Sequence, residues 1–170
     1  MALNQGWLYA SSNTTVYRWK YSGERAPIAD APQIVISNMS SGGKGGAPLG
    51  HTTRTIVFKT DGKDTPQYMY VSIGSGANVD ADSFRSRVRR VQLDSSTIVP
   101  VDGFDFSTME VWSDGLRNGV AMASDSQDRL WEVDNGPDNL ERPDLGTDIY
   151  QNNPAEELNL LDGPAGKPFG

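Results

Sequence analysis

The chain has 170 residues, a hydrophobic content of 36 % and a charged content of 22 %, which suits one modest globular domain or a part of a larger one. Its formal net charge of −7 argues against a nucleic-acid partner, because phosphate binding depends on Lys and Arg. The sequence contains no cysteine, which excludes disulfides, thiolate metal sites and thiol nucleophiles.

Strand patterns dominate the first half of the chain. Residues 6–21 alternate apolar and polar side chains on either side of a turn, which predicts a hairpin, and the β-branched run at 33–37 predicts a further strand. A Gly-rich loop is expected at 40–50. A second hairpin is predicted over 54–74 around a turn at Asp61-Gly62, followed by a strand over 87–93.

A basic cluster accompanies the strand at 87–93. Its arginines are interleaved with apolar side chains, an alternation typical of a half-buried strand. We interpret the arginines as the solvated face of that strand, with an anion site as the alternative. The cluster consists of Arg85, Arg87, Arg89 and Arg90.

The stretch 114–140 predicts a third hairpin, with strands over 119–123 and 130–133 joined by a turn at 125–128. An antiparallel hairpin brings the residues before its first strand and after its second strand to the same end. Arg117 and Asn118 should therefore share one rim with the loop at 135–139.

A loop-rich acidic tail follows from Glu141 to Gly170 and has little to bury. Its carboxylates, with those just before it, do not fit the spacing of an EF-hand. We assign them mainly to solubility and loop hydrogen bonds. They are Asp134, Asp138, Asp144, Asp148, Glu156 and Glu157.

The second and third hairpins resemble each other. Aligning Gly74 with Gly136 gives a repeat of 62 residues (136 − 74). Short antiparallel strands repeated at such intervals are typical of a β-propeller, in which each blade is one small sheet around a central axis. The sequence therefore predicts an all-β propeller, with a β-sandwich as the alternative.

The repeat gives the only histidine a place near the polar rim. His51 precedes the second hairpin as Arg117 and Asn118 precede the third, and in a propeller such rims face a common site. A single histidine is often structural, whereas an imidazole also suits acid–base chemistry. From the residues alone both roles of His51 remain open.

Three ordered segments resemble a known family: "GHTTRTIVF…MYVSIGSGANVD", "GLRNGVAMASDSQDRLWEVDNGPDNL" and "DLGTDIYQNNPAEELNLL". They are similar to the glucose/sorbosone dehydrogenases, the pyrroloquinoline quinone-dependent sugar dehydrogenases, and especially to their fungal-type pyranose dehydrogenase branch. The resemblance runs from about Trp7 to Leu161. It implies a six-bladed propeller, of which residues 1–170 would form two to three blades as a single partial domain, a fragment of the whole.

The resemblance also implies roles for individual residues. His51 matches the general base that removes a proton from the sugar hydroxyl. Arg117 matches the arginine that lies against the quinone, where it also acts in catalysis, and Asn118 matches a residue that hydrogen-bonds the cofactor. Gly136 and Pro137 match the positions whose backbone carbonyls bind calcium and thereby help to hold the cofactor.

The expected function is thus oxidation of an aldose or pyranose hydroxyl, dependent on pyrroloquinoline quinone and calcium, with electrons passed to an external acceptor. The alternative is a non-catalytic propeller fragment that binds a partner or a carbohydrate, or an inactive truncated product. The family suggests an extracellular or periplasmic location. The sequence has no run of about 18 apolar residues that would span a membrane, and its start lacks the pattern of a signal peptide.

Overall fold

A computed structural model describes residues 1–23, 28, 30–39, 50–60, 67–80, 85–147, 149–151, 156–161 and 167–168. The turn predicted at Asp61-Gly62 lies outside the described residues, as does the Gly-rich loop apart from its last residue, Gly50.

Thirteen strands follow one another along the described chain. They are β1 (Ala2–Asn4), β2 (Trp7–Ser11), β3 (Val16–Lys20), β4 (Gln33–Ser37), β5 (Ile56–Thr60), β6 (Gln67–Ile73), β7 (Arg87–Gln92), β8 (Phe104–Asp105), β9 (Glu110–Asp114), β10 (Gly119–Ser124), β11 (Leu130–Asp134), β12 (Glu157–Leu160) and β13 (Lys167–Pro168). The helical segments in the described part are two short 3₁₀ turns, Phe106–Thr108 and Ile149–Gln151.

The strands form three sheets. The first has the order β1-β2-β3-β4-β8, the second β13-β9-β7-β6-β5 and the third β10-β11-β12. Neighbouring strands are antiparallel except for β8, which joins β4 in parallel, and β13, which joins β9 in parallel. The three predicted hairpins are present as β2–β3, β5–β6 and β10–β11, so the all-β prediction is confirmed.

The second sheet is covered on both faces. Along β6, Met69, Val71 and Ile73 belong to one buried cluster, whereas Tyr70 belongs to another that also contains Leu130 of the third sheet. Successive side chains of a strand point to opposite faces, so β6 contributes to a core on each side. The second sheet is therefore the middle layer of the described structure.

This arrangement overturns the interpretation of the arginine cluster. Arg85, Arg87 and Arg89 are 1 %, 8 % and 7 % exposed. Arg89 donates a 2.6 Å hydrogen bond to the carbonyl of Met109, and Arg87 pairs with Asp114 at 2.8 Å. The prediction of a solvated face was wrong because β7 lies between β6 and β9 in a sheet with both faces covered.

The acidic tail also contributes more than predicted. Residues 157–160 form β12, which pairs with β11 in antiparallel register. Leu161 is fully buried, and its N–H donates to the carbonyl of Leu130 at 2.8 Å. The expectation that the tail has little to bury is therefore wrong for this segment, which completes the third sheet.

Candidate functional site

Two segments before strands meet at Ser75. The N–H of His51, before β5, donates to the carbonyl of Ser75 at 3.0 Å, and the N–H of Ser75 donates to the carbonyl of Arg117, before β10, at 2.7 Å. Ser75, in the loop after β6, therefore connects the second and third hairpins. The structure brings His51 and Arg117 to the same end of the sheets.

Gly74 allows this close approach. A Cβ atom placed on Gly74 would lie 2.8 Å from Cβ of His51 and 2.9 Å from Oδ1 of Asn118. Both distances are shorter than real Cβ contacts allow, so a larger residue at this position would push the two hairpin ends apart. His51 and Asn118 thus both pack against the position that a side chain at Gly74 would occupy.

Two arginines support the segment that contains His51. Arg85 donates to the carbonyls of Gly74 at 2.8 Å, His51 at 3.0 Å and Ser75 at 3.1 Å. Arg54 also donates to the carbonyl of His51, at 3.2 Å. Burial, followed by repulsion from Arg85, lowers the pKa of Arg54 to about 10, so the guanidinium of Arg54 stays charged near neutral pH. The two arginines together hold backbone oxygens of this segment in place.

Asp134 organises the rim of the third hairpin, which consists of Arg117, Asn118 and the loop at 135–139. Its carboxylate accepts a 2.6 Å hydrogen bond from the N–H of Arg117 and a further one from the N–H of Asn118. The residue is 5 % exposed, and burial raises the pKa of its carboxyl although both N–H groups act in the opposite direction. Of the predicted roles of Asp134, solubility is wrong because the side chain is buried, whereas hydrogen bonding to a loop is confirmed.

The guanidinium of Arg117 is held by the loops around it. It donates to the carbonyl of Asn78 at 3.1 Å, the carbonyl of Asn135 at 3.2 Å, Oδ1 of Asn78 at 2.8 Å and Oδ2 of Asp138 at 2.9 Å. A guanidinium has five N–H donors, so four of them are already used. What Arg117 can still offer a ligand is mainly its charge and its flat faces.

Asn78 connects the two loops that follow β6 and β11. Its Nδ2 donates to the carbonyl of Asp138 at 2.7 Å, and its Oδ1 accepts from the N–H of Asp138 at 2.7 Å. Neither Ser75 nor Asn78 was predicted from the sequence as a site residue. Their only signal was position, since both belong to the Gly- and Asn-containing loop that aligns with residues 135–139.

A cavity of about 430 Å³ opens beside these loops, within the size range of small-molecule sites. Three of the predicted site residues line it, namely Arg117, Gly136 and Pro137, whereas His51 and Asn118 do not. Ser75 contributes to the wall and contacts His51. The cavity therefore lies next to the histidine, with Ser75 between them.

The donor set at Gly136 and Pro137 fits part of a calcium site. The N–H of Gly136 donates to Oε2 of Glu156 at 2.8 Å, so the bond that fixes this residue uses its N–H and not its carbonyl. Calcium takes six to eight oxygen ligands, of which two backbone carbonyls supply a minority. Among the described residues, no group of three or more acidic, His or Cys side chains is arranged to hold a metal.

Asn118 offers a further polar group near the cofactor position implied by the resemblance. Its Oδ1 is closed off from solvent and has no hydrogen-bond partner within the described part of the chain. The same atom lies against Gly74. Because this oxygen is closed off, the amide nitrogen of Asn118 is the side-chain group that a ligand could still reach.

Comparison with known proteins identifies relatives. The family model described as TrAA12-like matches residues 1–169. A structure from Trichoderma reesei, described as a carbohydrate-active enzyme of family AA12, is 28 % identical with a TM-score of 0.77, covering 97 % of this chain and 40 % of that one. No curated protein sequence matches the chain.

A second structure, the holo form of the pyranose dehydrogenase PQQ domain from Coprinopsis cinerea, is 23 % identical with a TM-score of 0.75, covering 94 % of this chain and 39 % of that one. The chain thus spans about 40 % of the length of the structures it matches. The likeness confirms the prediction of a partial β-propeller fold. In the part of the chain that the structure describes, no helix has the length and apolar character needed to cross a membrane.

Proposed function

Because the chain belongs to the TrAA12-like family, we propose that it forms part of an enzyme that oxidises a sugar hydroxyl with pyrroloquinoline quinone and calcium. The predicted relationship to the quinone-dependent sugar dehydrogenases is confirmed by the family match and the two related structures. In this proposal residues 1–170 form one partial-propeller domain, which contributes residues to the active site. The electrons leave to an external acceptor.

One observation supports this proposal above the others, which is the link through Ser75. The hydrogen bonds of Ser75 bring an imidazole and a permanent cation to the same end of two sheets, beside a cavity of about 430 Å³. A base and a fixed positive charge at one site are the groups that hydroxyl oxidation requires, since the hydroxyl must lose a proton as its carbon loses hydride.

His51 is the proposed base. An imidazole has an ordinary pKa of ~6.5, which suits proton removal near neutral pH. The buried arginines that bind its carbonyl hold the backbone and leave the ring to act. The quinone, when bound, supplies the acceptor for the hydride.

Arg117 and Asn118 are the proposed cofactor contacts. Four of the five donors of Arg117 are bound to protein oxygens, so its flat guanidinium would lie face-on against a planar ring, a geometry that arginine favours. Its permanent charge then stabilises negative charge that develops on a molecule held there. Asn118 would donate a hydrogen bond from its amide.

Calcium is the second proposed cofactor. The carbonyls of Gly136 and Pro137 would supply two of its oxygen ligands, with water and the bound quinone supplying others. Three carboxylates near the loop, Asp134, Glu156 and Glu157, favour a cation at this position. As a hard Lewis acid the ion would polarise an oxygen that it binds.

Quinone binding provides the test. The complete protein, titrated with pyrroloquinoline quinone in calcium and again in a chelator, should bind more tightly with calcium present, as followed by quinone absorbance. Arg117→Ala should weaken binding by tenfold or more (about 1.4 kcal/mol), whereas Arg142→Ala should not, because Arg142 pairs with Asp144 on the exposed surface.

The second measurement is sugar-dependent reduction of an artificial electron acceptor. Turnover with any of a panel of aldoses supports the proposal. Tight quinone binding without turnover of any sugar would favour the non-catalytic alternative, and no quinone binding under either condition would contradict the proposal itself.

The proposed location is extracellular or periplasmic, as the family resemblance implies. Cell fractionation of the source organism, with antibodies to this chain, tests it. Detection only in the cytosolic fraction would contradict it.

A further inference from the structure

The ring of His51 faces two oxygens of Ser75. Nδ1 of His51 lies 2.9 Å from Oγ of Ser75 and 3.2 Å from its carbonyl oxygen. A neutral imidazole has one protonated and one unprotonated ring nitrogen, and the partners of the ring decide which is which. The roles of these two oxygens therefore determine the tautomer.

Both oxygens act as acceptors. A carbonyl oxygen can only accept. The hydroxyl of Ser75 has a single proton, which it donates to the carbonyl of Ala77 at 2.7 Å, so towards His51 it can only accept as well.

We propose that Ser75 is a positioning residue that holds His51 in the tautomer protonated on Nδ1, so that Nε2 carries the lone pair that removes the substrate proton. Neither oxygen of Ser75 can donate to an unprotonated Nδ1, and the proton therefore remains on that nitrogen. This inference rests on the proposed role of His51 as the base, and it adds which atom acts and which residue selects it.

The position of Ser75 is fixed independently of its side chain. The residue is 2 % exposed, its N–H donates to Arg117, and its carbonyl accepts from His51 and Arg85. A hydroxyl held this firmly can select one tautomer, because the acceptor does not move to suit the other. The same backbone bonds should preserve the local structure when the hydroxyl is removed.

The test uses nuclear magnetic resonance of the complete protein labelled with ¹⁵N-histidine. The pair of ring nitrogen signals that disappears in His51→Gln belongs to His51. At a pH about two units above the ordinary imidazole pKa of ~6.5, the unaltered chain should show a protonated Nδ1 and an unprotonated Nε2. A proton on Nε2 instead would overturn the proposal.

Ser75→Ala removes one of the two acceptors and should shift the tautomer ratio toward protonated Nε2 by roughly fivefold, the population equivalent of one ordinary hydrogen bond of about 1 kcal/mol. Ser75→Thr, which keeps the hydroxyl, should restore the original signals. The matched control is Ser113→Ala, because Ser113 is fully buried and its hydroxyl has no partner among the described residues. Identical ring signals in Ser75→Ala and the unaltered chain would refute the part assigned to the hydroxyl.

Where Ser75→Ala does not fold, Ser75→Cys replaces it, since a thiol of similar size is a weak acceptor. The ring signals are read without quinone or sugar, so they are independent of turnover. A protonated Nδ1 that depends on Ser75, together with unchanged turnover in His51→Ala, would mean that the positioning is real and the base role is wrong.

Discussion

The β5–β6 and β10–β11 hairpins share a hydrogen bond from a backbone N–H to a side-chain oxygen, but the accepting group differs between them. In the first, the N–H of Thr55 donates to Oγ of Ser72 at 3.1 Å. In the second, the N–H of Arg117 donates to Oδ2 of Asp134 at 2.6 Å. Both pairs are related by the same shift of 62 residues (117 − 55 and 134 − 72), which is the repeat indicated by the sequence.

The difference between hydroxyl and carboxylate determines what each rim can do. A hydroxyl accepts a bond from one N–H group without a charge, whereas the carboxylate of Asp134 accepts from two and brings a buried negative charge to the site. The rim of the β5–β6 hairpin thus presents the imidazole of His51 beside neutral oxygens. The rim of the β10–β11 hairpin presents the guanidinium of Arg117, a residue whose backbone N–H is bound by the carboxylate of Asp134.

The largest expected effect separates the two rims by function. His51→Ala in the complete enzyme should lower sugar turnover by about 10² to 10⁴-fold, the usual contribution of general-base catalysis, while quinone binding stays nearly unchanged. Arg117→Ala should weaken both, because its charge acts on the cofactor. Steady-state kinetics and quinone titration check this contrast. Normal turnover of His51→Ala with saturating quinone and calcium would contradict the proposed role of His51 as the base.

Stability should also distinguish the two acceptors. Asp134→Ala leaves two N–H groups without their charged acceptor and should lower the free energy of unfolding by about 2 to 4 kcal/mol, whereas Ser72→Ala should cost about 1 kcal/mol. Denaturant unfolding measures both, with Ser113→Ala as the control, because the Ser113 hydroxyl has no hydrogen-bond partner in the described part of the chain. Equal losses at the two positions would show that the charge of Asp134 adds nothing.

The hairpins should differ in pH dependence. Glu132 is fully buried where the aligned position in the first hairpin is Tyr70, and burial, with repulsion from Asp134, raises the pKa of Glu132 to about 7. Between the ordinary carboxyl pKa of ~4.3 and this value, the folded chain holds a proton that the unfolded chain has released. The free energy of unfolding should therefore fall as pH rises through this window, by at most about 1.4 kcal/mol per pH unit.

Glu132→Gln should flatten this dependence and make the chain relatively more stable above pH 7. Denaturant unfolding at several pH values from 4 to 8 provides the measurement. A slope that persists unchanged in the Gln variant would assign the pH dependence to other groups.

The smallest effect concerns the ion pair between Arg117 and Asp138, which are 2.9 Å apart with the Asp138 side chain 76 % exposed. A double-mutant cycle with Arg117→Gln and Asp138→Asn, measured by the free energy of unfolding, should give a coupling energy of about 0.2 to 1 kcal/mol. Added salt should reduce this coupling energy. A coupling well above this range would mean that the loops exclude water from the pair more than the exposure of Asp138 indicates.

The sequence predicted the hairpins because alternation of apolar and polar residues is a local signal. It did not predict β9, and it placed Arg85 and its neighbours on the surface, because burial of both faces of the second sheet depends on the sheets on either side. The roles of Ser75 and Asp134 were missed for a related reason. Each acts by bonding to backbone groups of a segment distant along the chain, and such contacts leave no spacing pattern.

The parallel pairing of β8 with β4 has a consequence for synthesis. The first sheet receives its fifth strand from residues 104–105, which leave the ribosome after β5, β6 and β7 of the second sheet. A nascent chain that ends at residue 92 would therefore have β4 without its outer neighbour, and unpaired strand edges associate readily with other chains. The two sheets should consequently mature together rather than one after the other as the chain emerges.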